Sequence, residues 1–160
     1  MMYTEDMIDE VLLRYEGHGE EEYAEQLEAF SETQPIIFAY LMSDNFKILT
    51  QAEREFQLYL ALIVWETIED NGTEPLPIVE EDAIGAQEEV NWELLSASSA
   101  KMFKAKLDVF FDQTKQEDLL AYVEDALIVD AEDRKHSIVT KEGREVIFIT
   151  LKTIVDLLTV

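Results

Sequence analysis

The stretch from Gln51 to Asn71 constrains this chain more than any other. Read as a helix, it places Phe56, Leu58, Tyr59, Leu60, Leu62, Ile63, Val64 and Trp65 on nearly every face rather than on one stripe. A helix apolar all round must be wrapped by other elements, so it predicts a central rod with a shell around it. Its ends are written locally. Thr50-Gln51-Ala52-Glu53 reads as a capping box, in which the threonine hydroxyl takes the N3 amide and the glutamate reaches back to the cap amide. Asn71-Gly72 reads as a C-terminal stop. The longest apolar run, Leu58 to Trp65, falls far short of the roughly 20 residues that span a bilayer.

The rest of the chain supplies the shell. Glycine and proline are scarce, and they sit where helices would begin or end. A first helix is predicted from Thr4, read as its N-cap, to Tyr15, with Met7, Ile8, Val11, Leu12 and Tyr15 at helical spacing. Gly17-His18-Gly19 breaks it. A second helix carries Tyr23, Leu27 and Phe30 on one stripe, and a short apolar helix opens at Pro35, a residue suited to the first helical position. Beyond the central helix, "TEPLPIVEED" is a linker, since its two prolines favour extended backbone. A weak helix follows from Glu81 to Leu95, interrupted by Gly85. Another runs from Ser99 to Gln113 with Phe103, Leu107, Phe110 and Phe111 facing inward. Thr114-Lys115-Gln116-Glu117 is a second capping box, opening a helix through Leu119, Leu120, Val123 and Leu127.

The C-terminal segment "SIVTKEGREVIFITL" is rich in β-branched residues and could pair as a hairpin about Glu142-Gly143. An internal comparison decides for helix. Residues 138–156 align with 48–66 at an offset of 90: Thr140 falls on Thr50, Arg144 on Arg54, Glu145 on Glu55, and Asp156 on Glu66, with apolar positions coinciding between them. The predicted helix spans Lys141 to Leu158. Duplication and convergence on one pattern of cap, charged turn and buried helix both account for the match. The expectation is therefore a single all-α domain over 1–160, a bundle of six to eight helices. Sub-halves 1–72 and 80–160 would be joined by the linker 73–79.

Charge then narrows function. Thirty-six acids face twelve bases, a net charge of −24. Residues 1–32 carry eleven of the acids against Arg14 alone. Such a chain is repelled by nucleic acid and by anionic lipid, so direct binding to either is not expected. The one basic cluster, Lys101, Lys104 and Lys106, reads as a helix face offsetting nearby acids. The acidic N-terminal stretch lacks the basic flank and apolar run of a secretory signal, and the expected location is cytoplasmic.

Chemistry finds little to work with. There is no cysteine, no G-x-S-x-G and no glycine-rich phosphate loop. The two histidines, His18 and His136, belong to no H-x-x-x-H or E-x-x-H pattern, so no metal and no cofactor is expected. His18 in "GHGEEE" reads as a turn, and Glu20, Glu21 and Glu22 as acids favoured by the following helix's dipole. Glu69–Glu74 lacks the calcium-loop frame, and Asp130–Asp133 reads as a loop. Paired carboxylates carry no signal in so acidic a chain unless their surroundings split their pKa values.

What remains is a surface. Glu21, Glu25, Glu28 and Glu32 share one face of the second helix, and Trp92 lies in an acid-rich segment where an interface anchor would fit. The sequence thus predicts a non-enzymatic helical protein–protein interaction module with a basic partner. The alternative is a polyanion mimic that occupies the nucleic-acid cleft of another protein. Homo-oligomerisation is left open.

Overall fold

A computed structural model describes all 160 residues, and it contains helices and no strand. The order is α1 (Glu5–Glu16), α2 (Glu20–Thr33), α3 (Pro35–Leu41), α4 (Gln51–Asn71), α5 (Glu81–Ser96), α6 (Phe103–Lys106), α7 (Asp108–Gln113), α8 (Glu117–Glu132) and α9 (Lys141–Leu158). A single 3₁₀ turn, Asp44–Phe46, precedes α4. Counting α6 and α7 as one helix broken at Leu107 gives eight helices, within the expected range. None is long and apolar enough to cross a membrane.

The two aligned segments are the centre. α4 and α9 each bury eleven residues and no other helix buries more than five, so the shell is built on this pair. α9 packs against α4, α5 and α8, while α1 and α2 cover α4. The core is one cluster that draws residues from both sides of the 73–79 segment. That segment is extended and bolted down. The buried Gln34 side chain donates to the Pro77 carbonyl at 2.9 Å and accepts from the Val79 amide at 3.1 Å.

The pair of inner helices is joined at its N-termini by one carboxylate. Glu53 completes the capping box at α4: its Oε1 accepts from the Thr50 amide at 2.9 Å, and its own amide donates to Thr50 Oγ1 at 3.1 Å. The cap of α9 has no such glutamate, because its N3 position is Gly143. Glu53 serves there too. Its Oε2 accepts from the Thr140 amide and from Thr140 Oγ1, both at 3.0 Å. A Cβ on Gly143 would overlap Glu53 Oε2 and also press on Thr140 Oγ1 at 3.0 Å, so the missing side chain makes the room. Burial raises the Glu53 pKa, but the bonds from Thr50 and Thr140 outweigh it and hold the carboxyl below its ordinary value.

Several local expectations need correction. Thr4 occupies the cap position of α1, yet its side chain makes no cap bond; the Asp118 carboxylate takes the Glu5 amide instead, at 2.9 Å. Gly72 has φ of −73°, so it stops α4 in extended backbone rather than in a left-handed turn. Gly85 does not interrupt α5, because Ile84, Asn91 and Leu95 bury one face and offset the roughly 1 kcal/mol that an interior glycine costs. The helix placed from Ser99 starts only at Phe103 and breaks at Leu107, a fully buried side chain. Phe103 and Phe111 do face inward, half-buried against the core. The Thr114 capping box does not form: Thr114 Oγ1 accepts from the Gln116 amide, and α8 begins one residue later. Gln116 instead tethers the N-terminal strap through the Tyr3 amide and the Met1 carbonyl.

Candidate functional site

Glu21, Glu25, Glu28 and Glu32 stand exposed in a row along α2, and none enters an ion pair. At 1.5 Å of rise per residue the row carries one charge per about 5.5 Å, whereas a strand of duplex DNA carries one per about 3.4 Å. The row alone is therefore well below phosphate density. Trp92 is half-buried on α5, with its Nε1 donating to Glu88 Oε1 at 3.4 Å. Glu88 Oε2 in turn accepts from the Tyr40 hydroxyl at 3.0 Å. α2 packs on α3 and α4, and α5 packs on α9, α3 and α7, so both helices flank α3.

A different feature is better built. α1, α4 and α8 leave between them a groove of about 430 Å³. Its floor is Ile8 and Leu60, both buried, with Phe56, Tyr59 and Tyr122 half-open above them. Ala121 and Ala126 keep the α8 wall low, and Val129 stands 67% exposed at one end. The rim is acidic on both sides, Glu5 and Asp9 on α1, Asp118 and Asp125 on α8. Asp118 is partly committed to the Glu5 amide, while the other three are exposed. No cation balances them. α8 contains no basic residue, and the single base of α1, Arg14, turns to Glu66 and Asp70.

Tyr59 links this groove to a second hollow lined by Leu12, Tyr15, His18 and Tyr23. The Tyr59 ring lies 6.4 Å from those of both Tyr15 and Tyr23, and His18 meets Tyr15 edge-on at 5.1 Å. Burial raises the phenol pKa of Tyr23, Tyr59 and Tyr122, with neighbouring tyrosines adding to it at Tyr23 and Tyr122. These hydroxyls stay neutral, so the surface is aromatic and hydrogen-bonding at once, the character that makes tyrosine frequent at protein interfaces.

The largest hollow, about 770 Å³ between α5, α7 and α9, has a different character. Asp156 there accepts from Lys152, from Gln87 Nε2 at 3.0 Å and from Asn91 Nδ2 at 3.1 Å. Lys152 also lies over the Phe110 ring at 5.7 Å. Asn91 Oδ1 has no partner, but it is sealed from solvent and so from any ligand in the hollow. The chain's own donors surround the carboxylate, which makes this cluster a clamp between α5 and α9. Asp130 is likewise internal: its carboxylate accepts from the amides of Ile138 and Val139, both at 2.9 Å, and staples the loop before α9. His136 sits exposed beside Asp133, and no group of three or more histidine or acidic side chains is arranged to hold a metal ion.

The sequence reading assigned Phe56 and Tyr59 to the core and so missed the groove. The available signal was Ala121 and Ala126, two of the three alanines of α8, among bulky apolar neighbours. No family model matches the chain, and no curated protein or solved structure matches it either, so the reading of this surface rests on its own geometry.

Proposed function

We propose that this chain is a helical protein–protein interaction module without chemistry of its own, and that it docks a basic partner in the groove between α1, α4 and α8. The observation that carries this reading is the combination of an apolar, tyrosine-bearing floor with a rim of four carboxylates and no cation. Burying the floor supplies affinity, since each apolar Å² removed from water contributes about 25 cal/mol. The rim selects for a positively charged partner and speeds its approach, an effect that salt weakens. The chain is taken to act in the cytoplasm and away from nucleic acid and membranes.

A second reading, polyanion mimicry through α2, is favoured by the unpaired row Glu21, Glu25, Glu28 and Glu32. Its low charge density ranks it behind the groove.

Site-specific photo-crosslinking separates the two. A crosslinker at Val129 should trap a basic protein in the native cell, and one at Glu25 should not. The purified partner should then associate more slowly with the Asp9→Lys/Asp125→Lys variant than with the parent at low salt, with the gap closing as salt rises. Trapping from Glu25 alone, or equal association rates, would overturn the groove reading.

A further inference from the structure

We infer that the occupant of the groove is a single amphipathic α-helix with an aliphatic stripe flanked on both sides by lysine or arginine. This rests on the docking reading above and specifies the partner. The walls are helices, so neither offers a row of free backbone amides and carbonyls. An extended peptide laid there could not add to a sheet edge, and its own amides would face an apolar floor unpaired. A helix brings its backbone bonds with it and needs only side-chain contacts. Length agrees. On α8 the lining runs from Asp118 to Val129, a rise of about 16 Å, or three turns of a docked helix. Charge agrees as well. Carboxylates stand on both walls, so cations are called for on both flanks of the stripe, as in a basic amphipathic helix. A second copy of this chain fits poorly, because two molecules of net charge −24 repel.

The probe is a synthetic peptide of about four turns made of leucine, alanine and lysine, with leucines at i, i+4, i+7 and i+11 and lysines flanking them. Controls are the same composition scrambled to abolish the stripe, and a lysine-containing proline-rich peptide. Fluorescence anisotropy against the full chain should show the striped peptide binding about tenfold or more tighter than the scrambled one, a difference of about 1.4 kcal/mol. Nuclear magnetic resonance shifts should map to Ile8, Tyr59 and Tyr122. Val129→Glu, an exposed change, should abolish the preference while leaving the unfolding midpoint in place. Equal binding of the scrambled peptide would reduce the effect to bulk charge and overturn the inference. So would tighter binding of the proline-rich peptide, shifts confined to α2, or a self-association that Val129→Glu dissolves. If a natural partner crosslinks at Val129 while the striped peptide fails, the docking reading stands and only the helical occupant falls.

Discussion

Glu53 and Asp125 carry the same charge in the same chain and meet opposite surroundings. Glu53 is 1% exposed, and its two oxygens accept three hydrogen bonds from the helix starts it joins. Asp125 is exposed on the rim of an apolar groove, and the helix that bears it has no base to offer. The difference teaches how to read an acidic protein. A carboxylate that the chain supplies with donors holds the fold together. One that it leaves without a counter-charge beside apolar surface is free for something outside it.

The largest effect should come from removing the clasp. Glu53→Ala deletes a buried charged acceptor and strands the Thr50 and Thr140 amides at two helix ends. Urea unfolding should show a loss of about 3 kcal/mol. Glu53→Gln should retain part of this, and pH separates charge from shape. Since the folded pKa of Glu53 lies below its ordinary value of 4.5, its contribution is fully present above that pH and disappears as pH falls through the lowered value. The stability gap between parent and Glu53→Gln should therefore be constant at neutral pH and shrink in acid. A gap that persists unchanged well below pH 4 would show that shape alone matters.

A smaller effect, with a change of sign, is expected at Gly143. Alanine in a helix is ordinarily better than glycine by about 1 kcal/mol, but here its Cβ displaces the Glu53 carboxylate. Gly143→Ala should destabilise the parent and stabilise the Glu53→Ala variant. Stabilisation by alanine in both backgrounds would mean that glycine at this position has nothing to do with the clasp.

These residues also show what was legible beforehand. The all-helical class, the inner helix from Gln51 and its threonine cap could be read from local pattern, because apolar residues on every face and a cap box are short-range statements. The helical fate of residues 141–158 against their β-branched composition was legible only through the match of 138–156 to 48–66. Pairings between distant elements were not. Glu53 was assigned to its own cap, and nothing in its neighbourhood announces that Thr140, 87 residues away, shares it. Gly143 at the third helical position was the trace of that arrangement, since a glycine there lowers helix propensity without a local reason. The groove was hidden for the same cause. Whether Phe56 and Tyr59 are covered depends on the size of Ala121 and Ala126 opposite, a fact about two helices. The row of glutamates on α2 was visible at once because it needs only one helix, whereas the hold of Trp92 on Glu88 was not, because it depends on side-chain direction.

The division of acids into those that hold the fold and those that face outward is tested most directly by one paired measurement. Asp9→Asn/Asp125→Asn and Glu53→Gln are unfolded in urea side by side at neutral pH and low salt. The account predicts that the rim variant matches the parent to within about 0.5 kcal/mol or gains slightly, because two repelling charges are gone, while the clasp variant loses stability. A rim variant that loses as much as Glu53→Gln would contradict it, since those carboxylates would then be part of what holds the molecule together.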